Sequence, residues 1–138
     1  MGTIVLGYDA SPGAERALDQ AVELASAFGD RLVIGFGVHP PGLGGGEGTQ
    51  HREALREQAV QLTGNALQRA LAAGVDAEIA LVDERPAEAL TGLGEQHEAR
   101  LIVVGSYGES PLRGAILGST PHKLLHLSDR PVLVVPGG

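Results

Sequence analysis

The chain contains no cysteine, which excludes both a disulfide framework and any thiolate-bound metal. It has no tryptophan and only two tyrosines and two phenylalanines, too few to build a platform for stacked bases. Basic side chains are scarce. Ten Lys plus Arg face seventeen Asp plus Glu, and Lys123 is the single lysine. The resulting net charge of −7 argues against a nucleic-acid partner, because such binding rests on Lys and Arg neutralising phosphates. No apolar run approaches the roughly 20 residues that span a bilayer. The opening Met1–Ser11 lacks the basic stretch and long apolar segment of a secretory signal. A cytoplasmic protein without a membrane partner is therefore expected. A small anion stays open as a ligand, since backbone N–H groups at a helix start hold phosphate without bulk positive charge.

What is present alternates between two patterns. Thr3–Tyr8, Arg31–Val38, Val75–Val82, Arg100–Val104 and Pro131–Val135 read as short strands, and the last two are almost continuously aliphatic. Such runs suit parallel strands covered on both faces. Between them, apolar residues at spacings of three and four predict helices. The first follows Ser11 as N-cap and Pro12 at the first helical position, buries Ala14, Ala17, Leu18, Ala21, Leu24, Ala25 and Phe28, and stops at Gly29. The second runs from about Gln50 to Ala73 with Leu55, Ala59, Leu62, Ala66 and Ala70 inward, ending at Gly74. The third runs from Pro86 to about His97, with Ala89, Leu90 and Leu93 inward, and a short fourth covers Pro121 to Leu127. This alternation predicts an α/β fold, one domain over residues 1–138, with an open five-stranded parallel sheet and helices on both faces. His39–Thr49 holds two prolines and five glycines; it is expected to be a flexible loop without regular structure, either a plain surface loop or a lid beside the ligand.

Open parallel sheets bind ligands beyond the carboxyl ends of their strands, where strand order reverses. After the fourth strand the chain reads Gly105-Ser-Tyr-Gly108, nine residues, then Gly118-Ser119-Thr120. Gly105 can leave the strand in a tight turn, and Gly108 lets backbone approach a ligand without a Cβ. Gly118 and Ser119 precede the short helix, where N–H groups and the helix dipole favour an anion. Ser119 can meet a phosphate oxygen or merely cap the helix.

The Gly, two residues, Gly, nine residues, Gly-Ser pattern matches the nucleotide motif of the universal stress protein family without a gap. Gly7-Tyr-Asp9-Ala-Ser11 resembles that family's first-strand signature, and Pro86-Ala-Glu-Ala89 and Pro131-Val-Leu-Val-Val135 are similar to further signatures. The resemblance spans essentially the whole chain. It implies an adenine-nucleotide α-hydrolase-like sheet ordered 3-2-1-4-5, with ATP, ADP or AMP, with or without Mg²⁺, lying across strands one and four. Asp9 matches the acidic residue at the adenosine end, and Val38 the position whose backbone meets the adenine edge. Gly105 and Gly108 match neighbours of the ribose and α-phosphate; Gly118, Ser119 and Thr120 match the phosphate-holding end. The resemblance also implies a homodimer through strand 131–135. Two departures stand out. Glu84 replaces a frequent glycine, and Thr120-Pro121 stands where a small apolar residue and Ser are common.

Plainer readings compete at several positions. Asp9 is also a favoured turn residue. Arg113 can reach a terminal phosphate or lie solvated on the surface. His122 and His126 share a helix face, yet no third ligand stands at a recognisable spacing, so no metal is expected. Glycine followed by Lys-Ser/Thr is absent, and no base neighbours the glycine motif, so at most slow ATP hydrolysis is expected and no catalytic residue is assigned. The competing function is a protein-interaction module of the same fold that binds no nucleotide, for which Glu84 is the best argument. A phosphoacceptor receiver domain is excluded, because Asp9 has no companion acid and no lysine follows the last strand.

Overall fold

A computed structural model describes residues 1–38, 45–106 and 118–136, apart from the side chains of 45–52 and 55. Five strands, β1 (Thr3–Gly7), β2 (Arg31–Gly37), β3 (Ala77–Val82), β4 (Leu101–Gly105) and β5 (Val132–Val135), form one sheet ordered β3-β2-β1-β4-β5. Every pairing is parallel, with Val5 opposite Val33 and Ile102 in the central register. The expected topology is therefore the observed one.

Alternation along the strands divides the core into two layers. Ile4, Leu6, Leu32, Ile34 and Val103 face α1 (Pro12–Phe28) and α2 (Gly45–Ala72). Val5, Val33, Ile102 and Val104 face α3 (Pro86–Gln96) and α4 (Ser119–Leu127). A strand buried on both faces needs an apolar side chain at every position, which is why these segments show no polar alternation. The α1 boundaries follow the sequence closely. The Ser11 hydroxyl accepts from the Ala14 N–H at 3.1 Å, and Gly29 closes the helix in the left-handed region at φ 69°.

Four expectations need correction. Phe28, expected inward, is exposed at the end of α1, with the Arg100 guanidinium over its ring. Helix α2 begins at Gly45, so Gly45–Thr49 is helical despite three glycines, while 39–44 lie outside the described residues. Each residue added to an existing helix costs far less than nucleating one, and the long segment behind these glycines supplies the nucleus. The buried seam of α2 uses Ala59, Thr63, Ala66 and Ala70 rather than Leu62. Thr63 is tolerated there because its hydroxyl donates to the Ala59 carbonyl at 2.6 Å. Helix α4 starts at Ser119 rather than Pro121, which places Pro121 inside the first turn, where a missing N–H breaks no helical bond.

Opposite the strands' carboxyl ends, the buried Asp30 carboxylate accepts from the Gly2 N–H at 2.9 Å and from Arg100 Nε at 2.6 Å. Arg100 also covers the Phe28 ring, 4.4 Å from its centroid. The Arg100 hydrogen bond is the main cause that holds the Asp30 carboxyl below the usual carboxylate range.

Candidate functional site

Beyond the carboxyl ends of β1, β2 and β4 lies a cleft of about 240 Å³. It opens where β1 connects outward to β2 on one side while β4 pairs on the other, which is the reversal point of the strand order. Glycines make the room for this convergence. A Cβ on Gly105 would stand 2.8 Å from the carbonyl carbon of Gly13, so the start of α1 lies directly against the end of β4. A Cβ on Gly37 would meet the Glu84 carbonyl oxygen at 2.7 Å and Pro86 Cα at 2.9 Å, and one on Gly7 would meet Leu90 at 2.6 Å. These glycines let α1 and α3 begin close to the strand ends.

The β1–α1 turn carries the one carboxylate among the described lining residues, Asp9. Its Oδ1 accepts from the Ser11 N–H at 3.0 Å, which fixes the turn locally. Ala10 sits in the left-handed region at φ 64°, a conformation disfavoured for a residue with a Cβ and held only by its surroundings. At the opposite wall, α4 begins at the Gly118 N-cap. The Gly118 N–H donates to the Ser106 carbonyl at 2.7 Å, and the first helical bond runs from the His122 N–H to Gly118. That leaves the N–H groups of Ser119 and Thr120 without a partner among the described residues, with both residues lining the cleft. The starts of α1 and α3 also face it, through Ser11 and Ala14 and through Pro86 and Leu90. Three positive helix ends thus converge on a site whose described lining holds no Lys or Arg. Chemically, it can accept an anionic group at α4 and a hydrogen-bond donor at Asp9.

The sequence profile of the universal stress protein family matches residues 1–136. The chain belongs to the universal stress protein family. Among relatives, Universal stress protein Rv1636 of Mycobacterium tuberculosis strain H37Rv is 31% identical over 148 aligned residues, covering 96% of this chain and 94% of that protein. A Thermus aquaticus universal stress protein is 32% identical over 142 residues, with 96% and 97% covered. A universal stress protein solved in complex with cAMP is 32% identical, with a TM-score of 0.75 and coverage of 99% and 98%.

Five of the residues singled out in the sequence, Asp9, Gly105, Gly118, Ser119 and Thr120, meet around this universal stress protein's cleft. Gly108 and Arg113 lie outside the described residues. Val38 is buried and does not line the cleft, and its N–H donates to the Val82 carbonyl at 2.7 Å. The Gly118 N–H likewise donates to the Ser106 carbonyl, and Ser119, inside the helix, does not cap it. Glu84 is exposed and its side chain does not line the cleft. The His122 and His126 rings stand edge to face at 5.1 Å, with no cluster of three metal-ligating side chains among the described residues.

Gly7, Tyr8, Pro86 and Leu90 also line the site; the first three were read only as parts of family signatures and Leu90 only as a core residue, while Gly37, which lines it too, was not singled out from sequence. For Gly37 a signal existed. Gly35 and Gly37 alternate within β2, and glycine in a buried strand marks a close backbone approach.

Proposed function

We propose that this universal stress protein binds an adenine nucleotide, AMP, ADP or ATP, across the ends of β1 and β4, and acts as a cytoplasmic nucleotide-responsive regulator rather than an efficient enzyme. The observation that carries this reading is the pair of N–H groups on Ser119 and Thr120 that have no partner among the described residues, at a helix start that opens into a glycine-walled cleft. Phosphate belongs at that end, joined by the two hydroxyls. Asp9, on the far side of the β1 end, has one oxygen committed to Ser11 and the other available to a ribose hydroxyl. The base then lies toward Phe36, Gly37 and Pro86, on a largely apolar wall. The relative solved with cAMP at 32% identity supports an adenine nucleotide as ligand class.

Mg²⁺, where ATP is the ligand, arrives on the phosphates, as is usual for this ion. The chain pairs with a second copy through β5, an edge strand on which Leu133 is exposed together with Leu125 and Leu127 of the neighbouring α4. The exposure of Glu84 away from the cleft removes the main argument for an interaction module without ligand.

The test is mass spectrometry of small molecules released on denaturing protein purified without added nucleotide, compared with Thr120→Glu. A carboxylate in the first turn suits the helix dipole while repelling phosphate, so this variant keeps the fold. An adenine nucleotide in the native protein, absent from folded Thr120→Glu, is the expected result. Equal nucleotide content in both would place the ligand elsewhere.

A further inference from the structure

The turn that presents Asp9 is bracketed by bonds at every step. The Tyr8 N–H donates to the Gly35 carbonyl at 3.1 Å, anchoring the turn's start to β2. The Ser11 N–H donates to Asp9 Oδ1, the Ala14 N–H to the Ser11 hydroxyl at 3.1 Å, and the Glu15 N–H to the Ser11 carbonyl at 2.9 Å. The phenol of Tyr8 closes the segment by donating to the Glu15 carboxylate. Arg69 of α2 in turn pairs with both Glu15 and Asp19, so α2 braces the acceptor. Burial first, and the bond to Glu15 second, push the phenol's pKa well above its ordinary value, so it stays a donor throughout the physiological range. Ala10, between Asp9 and Ser11, keeps its left-handed conformation inside this closed segment.

We infer that Tyr8 is a positioning residue for nucleotide recognition: its phenol, held by the Arg69-braced Glu15, fixes the strained turn so that the Asp9 carboxylate meets the ribose hydroxyls. The inference rests on the nucleotide reading above. Among the described residues, the phenol bond is the hydrogen bond that ties the Tyr8 side chain to α1. Without the phenol bond, Ala10 can relax toward ordinary backbone angles and swing Asp9 away, while the aromatic ring still fills its place in the core.

The experiment is a calorimetric titration of AMP and of its dideoxyribose analogue into the full-length protein and into Tyr8→Phe, Glu15→Ala and Asp9→Ala. Wild type should prefer AMP, and Asp9→Ala should erase that preference. Tyr8→Phe should weaken AMP about five- to tenfold, the scale of one hydrogen bond, and leave the analogue within about twofold. Glu15→Ala, which removes the acceptor from the other side, should narrow the same ratio. Thermal unfolding of each variant checks the fold. If Tyr8→Phe leaves the ratio unchanged, whether both affinities hold or both fall together, the positioning role is overturned and the nucleotide reading stands. A wild type that binds AMP without preference overturns the ribose contact and the inference with it. A wild type that binds neither overturns the nucleotide reading itself.

Discussion

A methyl group at Gly105 would press on three backbone atoms of Gly13, the nearest at 2.8 Å. Backbone cannot rotate away as a side chain can, so Gly105→Ala should displace the start of α1 at a cost of about 1–3 kcal/mol, read as a lower denaturation midpoint. Gly64 offers the contrast. It sits within α2 with nothing near its missing Cβ, so Gly64→Ala should stabilise by about 0.5–1 kcal/mol in the same assay. Asp30 gives a pH prediction. Its carboxyl is held below its unfolded value by Arg100, so its stabilisation is complete above the ordinary carboxylate range, near pH 4, and fades as pH falls through the native value. Asp30→Asn should cost about 2 kcal/mol at neutral pH, and its thermal midpoint should converge on wild type as the solution is acidified. Glycines marked by spacing, Gly105 and Gly118, were legible in the sequence. The role of Gly7 was not, because the Leu90 atoms it makes room for lie far along the chain, and the alternation of Gly35 and Gly37 marked a close approach at Gly37 without showing that Glu84 and Pro86 make it.

Elements were legible wherever local chemistry sets a boundary. Ser11, Pro12 and Gly29 mark both ends of α1, and Ser11→Ala should lower stability by about 1 kcal/mol in urea unfolding, the usual worth of an N-cap. Boundaries set by cooperativity were not. Gly45–Thr49 carries a composition that favours coil, yet becomes the first turns of a 28-residue helix. The start of α4 shows the same limit. Pro121 reads as an opening residue, but the helix begins two residues earlier, which moves Ser119 and Thr120 into its first turn, where their N–H groups have no partner among the described residues. The Tyr8–Glu15–Arg69 chain could not be read in advance, since residues 8 and 69 come together only through packing of α1 and α2.

For the whole molecule, a parallel sheet followed from the alternation of strands and helices, its order from the family resemblance, and the cleft from that order. Both core layers stop at the same sheet end, where three helix starts meet β1 and β4. A protein of net charge −7 can in this way offer phosphate a favourable site without a basic surface. The same strand order leaves β3 and β5 as edges. The apolar exposure of Leu133 on β5 predicts a dimer in sedimentation equilibrium at micromolar concentration, and Leu133→Lys should give a monomer of unchanged fold.

The most direct measurement is a calorimetric titration of AMP into nucleotide-stripped wild type and Thr120→Glu. Binding of one AMP per chain by wild type, lost in a Thr120→Glu protein that unfolds at or above the wild-type temperature, is the predicted result. Absence of heat from wild type at millimolar AMP, or undiminished binding by Thr120→Glu, would contradict a phosphate held at the start of α4.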